Sequence, residues 1–126
     1  MGLVHVDAEV SPNGGPWERV RLLVDSGAEY SVIPLRVWRK LGLQPKRRIE
    51  FVLADGSVIR RKVSECRFRL RGTDAVSPVV LGQVGDDPLL GAVTLETLGL
   101  LLDPLQRRLK RMRLRLPGLN PKGVVQ

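Results

Sequence analysis

The sequence predicts a small, closed, all-β domain with one or two short helices. Stretches in which apolar and polar residues alternate outnumber stretches with helical spacing, and clusters of turn-forming residues separate them. Such closely spaced hairpin signals are typical of small barrels. The 126 residues match the length of one domain, which we place at residues 1–116, followed by a flexible tail at 117–126.

The first predicted element is a hairpin whose second strand ends at an acidic residue. Residues 3–10 alternate in part, and residues 11–16 (Ser-Pro-Asn-Gly-Gly-Pro) form a turn before the strand at 19–24. This strand delivers Asp25 into residues 26–28 (Ser-Gly-Ala), which are too small and flexible to continue it. Asp25 is therefore predicted to lie where a strand passes into a loop.

A short helix is predicted next. Pro34 suits the first turn of a helix, because the N–H that proline lacks has no partner there in any case. Val37, Trp38 and Leu41 follow at helical spacing, and Gly42 provides the C-terminal cap.

A long hairpin with a mobile tip follows the helix. Residues 48–53 alternate, residues 54–57 (Ala-Asp-Gly-Ser) contain an Asp-Gly turn, and alternation resumes over residues 58–70. Cys66 falls at an apolar position of the second strand, so we predict that it packs as a small side chain. A single cysteine cannot form an internal disulfide, which agrees with a reducing compartment.

The C-terminal part of the chain predicts further strands and a second short helix. Residues 76–84 form a strand that Pro78 interrupts. A short apolar run at 89–91 (Leu-Leu-Gly) leads to a helix that Gly99 terminates. The remaining predicted elements are a buried strand at 100–102, a turn at Asp103-Pro104 and an alternating last strand at 105–116.

The charge balance suggests a nucleic-acid partner, but the distribution of the charge argues against one. The 21 Lys and Arg residues exceed the 13 Asp and Glu residues by 8, and basic patches attract phosphate. The excess lies mainly in residues 46–48, 60–62 and 107–115, where it mostly alternates with apolar residues as in half-solvated strands. Aromatic residues make up 4%, which leaves little for base stacking.

Other classes of protein are also disfavoured. No apolar run approaches the roughly 18 residues of a membrane-spanning helix, so we expect no contact with a membrane. The N-terminus lacks the basic start and apolar stretch of a secretory signal, so we expect the chain in the cytoplasm. His5 has no second histidine to pair with, so we expect neither a metal site nor a histidine-based triad. We expect no other cofactor.

Residues 23–28 (Leu-Val-Asp-Ser-Gly-Ala) carry the strongest chemical signal. They fit the apolar-apolar-Asp-Ser/Thr-Gly-Ala signature of aspartic proteases. The hairpin tip at 54–57 and the apolar run at 89–91 follow in the order and spacing of that family. Over about residues 3–115 the chain therefore resembles the retropepsin-like aspartic proteases, and residues 90–104 are similar to their small bacterial and archaeal members.

The resemblance implies an aspartic endopeptidase that works as a homodimer on a peptide or protein substrate. Hydrolysis needs an activated water and a polarised carbonyl. Two carboxylates that share one proton supply both, because like charges so close cannot both ionise. The motif occurs once in the chain, so the second carboxylate must come from Asp25 of another copy.

The family's pattern also assigns roles to neighbouring residues. The predicted catalytic group comprises Asp25, Ser26, which would hydrogen-bond across the dimer axis, and Gly27, which would leave room for the substrate backbone. The hairpin tip would close over an extended peptide. The predicted substrate-binding residues are Ala28, Glu29, Ala54, Asp55, Gly56 and Ser57.

Two alternative interpretations stay open. Asp-Ser-Gly is common in ordinary turns, and residues 54–57 fit a plain hairpin turn equally well. A chain with this fold could instead be a non-catalytic module that binds a peptide, a protein or RNA. The net charge of +8, and Glu29 where retroviral enzymes carry aspartate, favour that second interpretation.

Overall fold

The computed structural model describes residues 3–123 and contains nine strands and two short helices in that range. The predicted all-β fold with short helices is confirmed. Residues 1–2 of the predicted domain and residues 124–126 of the predicted tail lie outside the described residues. In chain order the elements are β1 (His5–Ser11), β2 (Glu18–Val24), β3 (Ser31–Ile33), α1 (Leu35–Leu41), β4 (Arg47–Val52), β5 (Val58–Leu70), β6 (Thr73–Leu81), β7 (Leu89–Leu90), α2 (Ala92–Thr97), β8 (Leu100–Asp103) and β9 (Arg108–Arg111).

Seven strands form one sheet that closes on itself. Their order is β1-β2-β7-β3-β6-β5-β4, and β1 also pairs with β5, so a ring closes and leaves β4 attached outside it. The long strand β5 makes this possible. Its first half pairs with β4, and its second half pairs with β6 and β1. The β4–β5 hairpin therefore extends beyond the ring, while β8 and β9 form a separate two-stranded sheet.

The core fills the inside of the ring because alternate strand residues point inward. Val10, Leu22 and Phe68 are completely buried there. Cys66 is also buried, which confirms its predicted packing, and burial raises the pKa of its thiol to about 12.

Helix α1 forms where it was predicted. The carbonyl oxygen of Pro34 accepts the backbone N–H of Val37 at 2.9 Å. Gly42 ends the helix with a φ of 70°, a left-handed conformation that glycine adopts without strain. Trp38 donates its indole N–H to the carbonyl of Gly82 at 2.8 Å, which fixes the helix to the end of β6.

Strand β6 corrects the prediction of an interrupted strand at 76–84. It runs without a break from Thr73 to Leu81 and begins after a tight turn in which Arg71 has a φ of 56°. Pro78 is tolerated because β3 pairs with β6 only from Val79 onward, so residue 78 has a strand neighbour on one side alone.

The prediction of a last strand over residues 105–116 is wrong at both ends. Strand β9 covers Arg108–Arg111, because its partner β8 has only four residues to pair with it. The backbone N–H groups of Leu105 and Gln106 instead donate to the carboxylate of Asp103 and form a turn. Alternation over residues 112–116 has no partner strand within the part of the chain that the structure describes.

None of the helices between residues 3 and 123 is long and apolar enough to cross a bilayer.

Candidate active site

The loop after β2 places Asp25 at the rim of the sheet, as its sequence predicted. The backbone N–H of Asp25 donates to the carbonyl of Leu90 at 3.0 Å, which ties the loop to β7. Its carbonyl accepts the N–H of Ala28 at 3.1 Å, so the chain reverses within a few residues. The N–H of Gly27 donates to Oδ1 of Asp25 at 3.0 Å, and the carboxylate stays half-buried beside the exposed Ser26.

Residues at the start of α2 support this loop from below. The backbone N–H groups of Ala92 and Val93 donate to the carbonyls of Ala28 and Glu29 at 2.7 and 2.9 Å. Gly91 makes the close approach possible. Residues 89–91, which the sequence marked as an apolar run ending in glycine, therefore form the floor of the Asp25 loop.

A buried network of hydroxyl groups lies beneath the same loop. Oγ of Ser31 and Oγ1 of Thr94 are 2.6 Å apart, and Oγ of Ser77 lies 2.8 Å from that same Oγ1. The N–H of Gly91 donates to Ser31 Oγ at 2.9 Å. The network joins β3, β6 and α2, and the sequence analysis missed it. In the sequence, this network could have been recognised only from serine residues at strand positions that face inward.

A groove of about 540 Å³ opens between the Asp25 loop and the β4–β5 hairpin. Gly27, Ala28 and Glu29 line it from the loop side. The hairpin contributes the side chains that alternate onto its inner face, and the ring of Tyr30 meets that of Phe51 edge-on at 5.9 Å. The apolar walls comprise Tyr30, Val32, Ile49, Phe51, Val52, Leu53, Ile59, Val80 and Leu89.

The model of the aspartyl protease family matches residues 6–94, which include the Asp25 loop, both strands of the hairpin and Gly91. The chain belongs to the aspartyl protease family. No curated protein matches its sequence.

Solved structures place this aspartyl protease among the retropepsin-like folds. The solution structure of simian foamy virus (mac) protease is 18% identical with a TM-score of 0.51, and the match covers 75% of this chain and 92% of that one. The crystal structure of the retroviral protease-like domain of Ddi1 from Leishmania major is also 18% identical with a TM-score of 0.55, covering 98% and 99%. The predicted retropepsin-like assignment is confirmed.

The hairpin tip of this aspartyl protease stands apart from the groove. Ala54, Asp55, Gly56 and Ser57 are all exposed, and none of them lines the groove in the single chain. Asp55 Oδ1 accepts the hydroxyl and the backbone N–H of Ser57 at 2.6 and 2.9 Å, so these bonds hold the pKa of the Asp55 carboxyl below its usual range. The tip is thus a closed turn, and its role in substrate binding stays a prediction.

Charged side chains at one side of the groove were not recognised from the sequence. Arg61 of β5 forms an ion pair with Asp86, which lies between β6 and β7. The pair raises the pKa of Arg61, and the Arg61 guanidinium lowers the pKa of Asp86. Glu29 and Asp87 also line the groove.

One carboxylate of the chain lies within the family's Asp-Ser-Gly signature. Asp25 is the one aspartate of the sequence that Ser-Gly follows. Among residues 3–123, no group of three or more His, Cys, Asp or Glu side chains could hold a metal ion. Within one chain, therefore, a single aspartate carries the Asp-Ser-Gly motif, and it lies beside a groove whose walls include Glu29, Asp86 and Asp87.

Proposed function

We propose that the protein is an aspartic endopeptidase that acts as a homodimer in the cytoplasm. The observation that carries the proposal is the half-buried Asp25 carboxylate at the rim of a peptide-sized groove, fixed by the Leu90 and Gly27 backbone. One copy supplies half of the required pair, and a two-fold axis next to the loop would bring the partner subunit's Asp25 within hydrogen-bonding distance. We also propose that the protein resembles the small bacterial and archaeal members of the family.

The two carboxyl groups would divide the chemistry between them. The ionised one takes a proton from a water molecule as the water oxygen bonds to the peptide carbonyl carbon. The protonated one gives its proton to the carbonyl oxygen. As the tetrahedral intermediate collapses and the C–N bond breaks, the carboxyl group that took the water proton gives it to the leaving nitrogen. The other carboxylate takes a proton back from a hydroxyl of the intermediate, so the pair again holds one proton.

The remaining predicted residues would bind and orient the peptide. Ser26 would hold the two loops in register across the axis, while Ala28 and Glu29 would contact the substrate from the loop side. The tip at 54–57 would close over the peptide, which would add strand-like backbone bonds. The apolar walls formed by residues such as Ile49 and Phe51 would accept apolar side chains.

The test is cleavage of a peptide mixture by purified protein, followed by mass spectrometry over a range of pH values, with and without pepstatin. We expect wild type to cleave peptides and Asp25→Asn to lose cleavage at least about 10³-fold while it keeps the fold and the dimer. Asp7→Asn is a matched control at an exposed aspartate outside the Asp25 loop and the groove. Light scattering on the same samples measures the oligomeric state. Equal cleavage by wild type and Asp25→Asn would refute the mechanism.

A second candidate function is a non-catalytic binding module, and the outer face of the β4–β5 hairpin favours it. Alternation places Arg48, Arg60 and Lys62 on the face opposite Arg61. Together with Arg61 and Gln83 they line a second cavity of about 280 Å³, which shares Arg61 with the groove. A basic surface of this kind would bind an anionic partner such as RNA. Binding of labelled RNA that falls steeply with salt and survives Asp25→Asn, in a protein that cleaves nothing, would support this candidate.

A further inference from the structure

The Arg61–Asp86 pair connects two walls of the groove that are distant along the chain. Arg61 lies in the half of β5 that pairs with β4, and Asp86 lies in the loop between β6 and β7. Nε and Nη2 of Arg61 donate to the two carboxylate oxygens at 2.9 and 3.0 Å. The side chains are 24% and 25% exposed. Two parallel charged bonds with this shielding are stronger than a single exposed contact.

Asp86 also organises the loop that contains it. The same carboxylate accepts the backbone N–H of Gln83 at 2.8 Å, so the loop is closed by the side chain that receives Arg61. A few residues later the chain reaches Leu90, whose carbonyl accepts the N–H of Asp25. A short structural path therefore leads from the hairpin, through the ion pair, to the strand that anchors the Asp25 loop.

We propose that Arg61 and Asp86 are positioning residues that hold the β4–β5 hairpin over the groove and fix the loop leading to Asp25. The kinetic part of this proposal rests on the proposed proteolytic function, and the structural part does not. Both side chains line the groove, but neither belongs to the Asp25 loop. Loss of the pair should therefore loosen the groove walls and weaken substrate binding, while the chemical step is largely kept.

Strand β5 also supplies a matched control pair. Arg69 makes the same kind of contact, in which Nε and Nη2 donate to the two carboxylate oxygens of Glu9 at 3.0 and 3.1 Å. Neither Arg69 nor Glu9 lines the groove. Arg69→Gln thus removes a two-bond ion pair of the same strand without affecting the proposed positioning.

The first experiment needs no substrate. Hydrogen–deuterium exchange of the full chain is followed by mass spectrometry on peptides covering residues 47–60 and 82–91. We expect Arg61→Gln and Asp86→Asn each to speed exchange in both segments about fivefold, and the double variant to add nothing further. Arg69→Gln should leave both segments unchanged. If Arg61→Gln exchanges there like Arg69→Gln, the proposal is overturned.

The second experiment measures cleavage kinetics. A casein digest is incubated with wild type, and one peptide that wild type cleaves is chosen as the substrate. We expect Arg61→Gln to raise KM about fivefold with kcat within about twofold, and Arg61→Lys to recover part of the loss because it keeps the charge. A lower kcat with unchanged KM would contradict a positioning role. If wild type cleaves no peptide at all, the proteolytic function fails, and the exchange experiment alone decides whether the pair positions the hairpin.

Discussion

Gly91 packs directly against the backbone of Tyr30. A Cβ atom at position 91 would stand 2.5 Å from the carbonyl carbon of Tyr30 and 2.9 Å from the carbonyl oxygen of Ala28. Both distances are below any ordinary contact, and both neighbours are backbone atoms that cannot rotate away. The close approach lets the first N–H groups of α2 reach the loop carbonyls beneath Asp25, so the absence of a side chain at residue 91 shapes the candidate active site.

Gly91→Ala should therefore disturb both stability and activity. The added methyl group forces the Asp25 loop and α2 apart, and overpacking of this kind costs about 1–3 kcal/mol. Urea denaturation measures the loss, and peptide cleavage should fall along with it. Gly118→Ala is the matched control, because a Cβ there meets nothing within 4 Å. Equal stability of the two variants would contradict the close packing.

Thr94 is the centre of the buried hydroxyl network, and its replacement by valine should destabilise the protein. Thr94→Val keeps the shape of the side chain but leaves the hydroxyls of Ser31 and Ser77 without their shared partner. Ser31 still accepts the N–H of Gly91 and Ser77 still donates to the Pro78 carbonyl at 3.2 Å, so we expect a loss of about 1 kcal/mol, the usual contribution of one hydrogen bond. Thr97→Val, on the exposed side of the same helix, should change the free energy of unfolding by less than about 0.5 kcal/mol. Thermal and urea unfolding of both variants test the difference.

Local signals in the sequence account for the part of the fold that was predicted. The turn formers at 11–16, the Asp-Gly turn at residue 55 and the caps of α1 act within a few residues, so their hairpins and helix are found at the expected places. Asp25 belongs to the same class, because a strand that ends in small residues places its last side chain in a loop. The family signature around Asp25 then predicted its role as a catalytic carboxylate.

The missed features all depend on contacts between distant residues. Arg61 and Asp86 each fit an ordinary polar surface position, and nothing within their own segments announces that they meet. The last strand was predicted over residues 105–116, but β9 ends at Arg111. Alternation reports that a segment is amphipathic, but a strand also needs a neighbouring strand to receive its hydrogen bonds.

Cys66 should be inert towards alkylating reagents in the folded protein. Its thiol is completely buried and has a pKa of about 12, so almost no thiolate exists at pH 8. We expect iodoacetamide to label the native protein at least about 100-fold more slowly than the protein in 6 M guanidinium chloride. Mass spectrometry gives both rates. Rapid labelling of the native chain would show that this part of the core opens readily.

Asp103 should make the stability of the protein depend on pH. Its carboxylate accepts the N–H groups of Gln106 and Leu105 at 3.1 and 2.9 Å and pairs with Lys110, and these contacts lower the pKa of Asp103. A lowered folded-state pKa means that the unfolded chain binds the proton more readily. The resulting stabilisation is complete above the unfolded pKa of about 3.9 and is lost as the pH falls through the folded-state value.

Asp103→Asn tests this dependence directly. The amide keeps the size of the side chain but removes its charge, so we expect the variant to be less stable than wild type at pH 7. As the pH falls below about 4, the wild-type carboxyl becomes protonated and the difference between the two proteins should shrink. Asp7→Asn, at an exposed aspartate of β1, controls for the general effect of removing one negative charge. A stability difference that stays constant from pH 7 to pH 3 would contradict a role for the charge of Asp103.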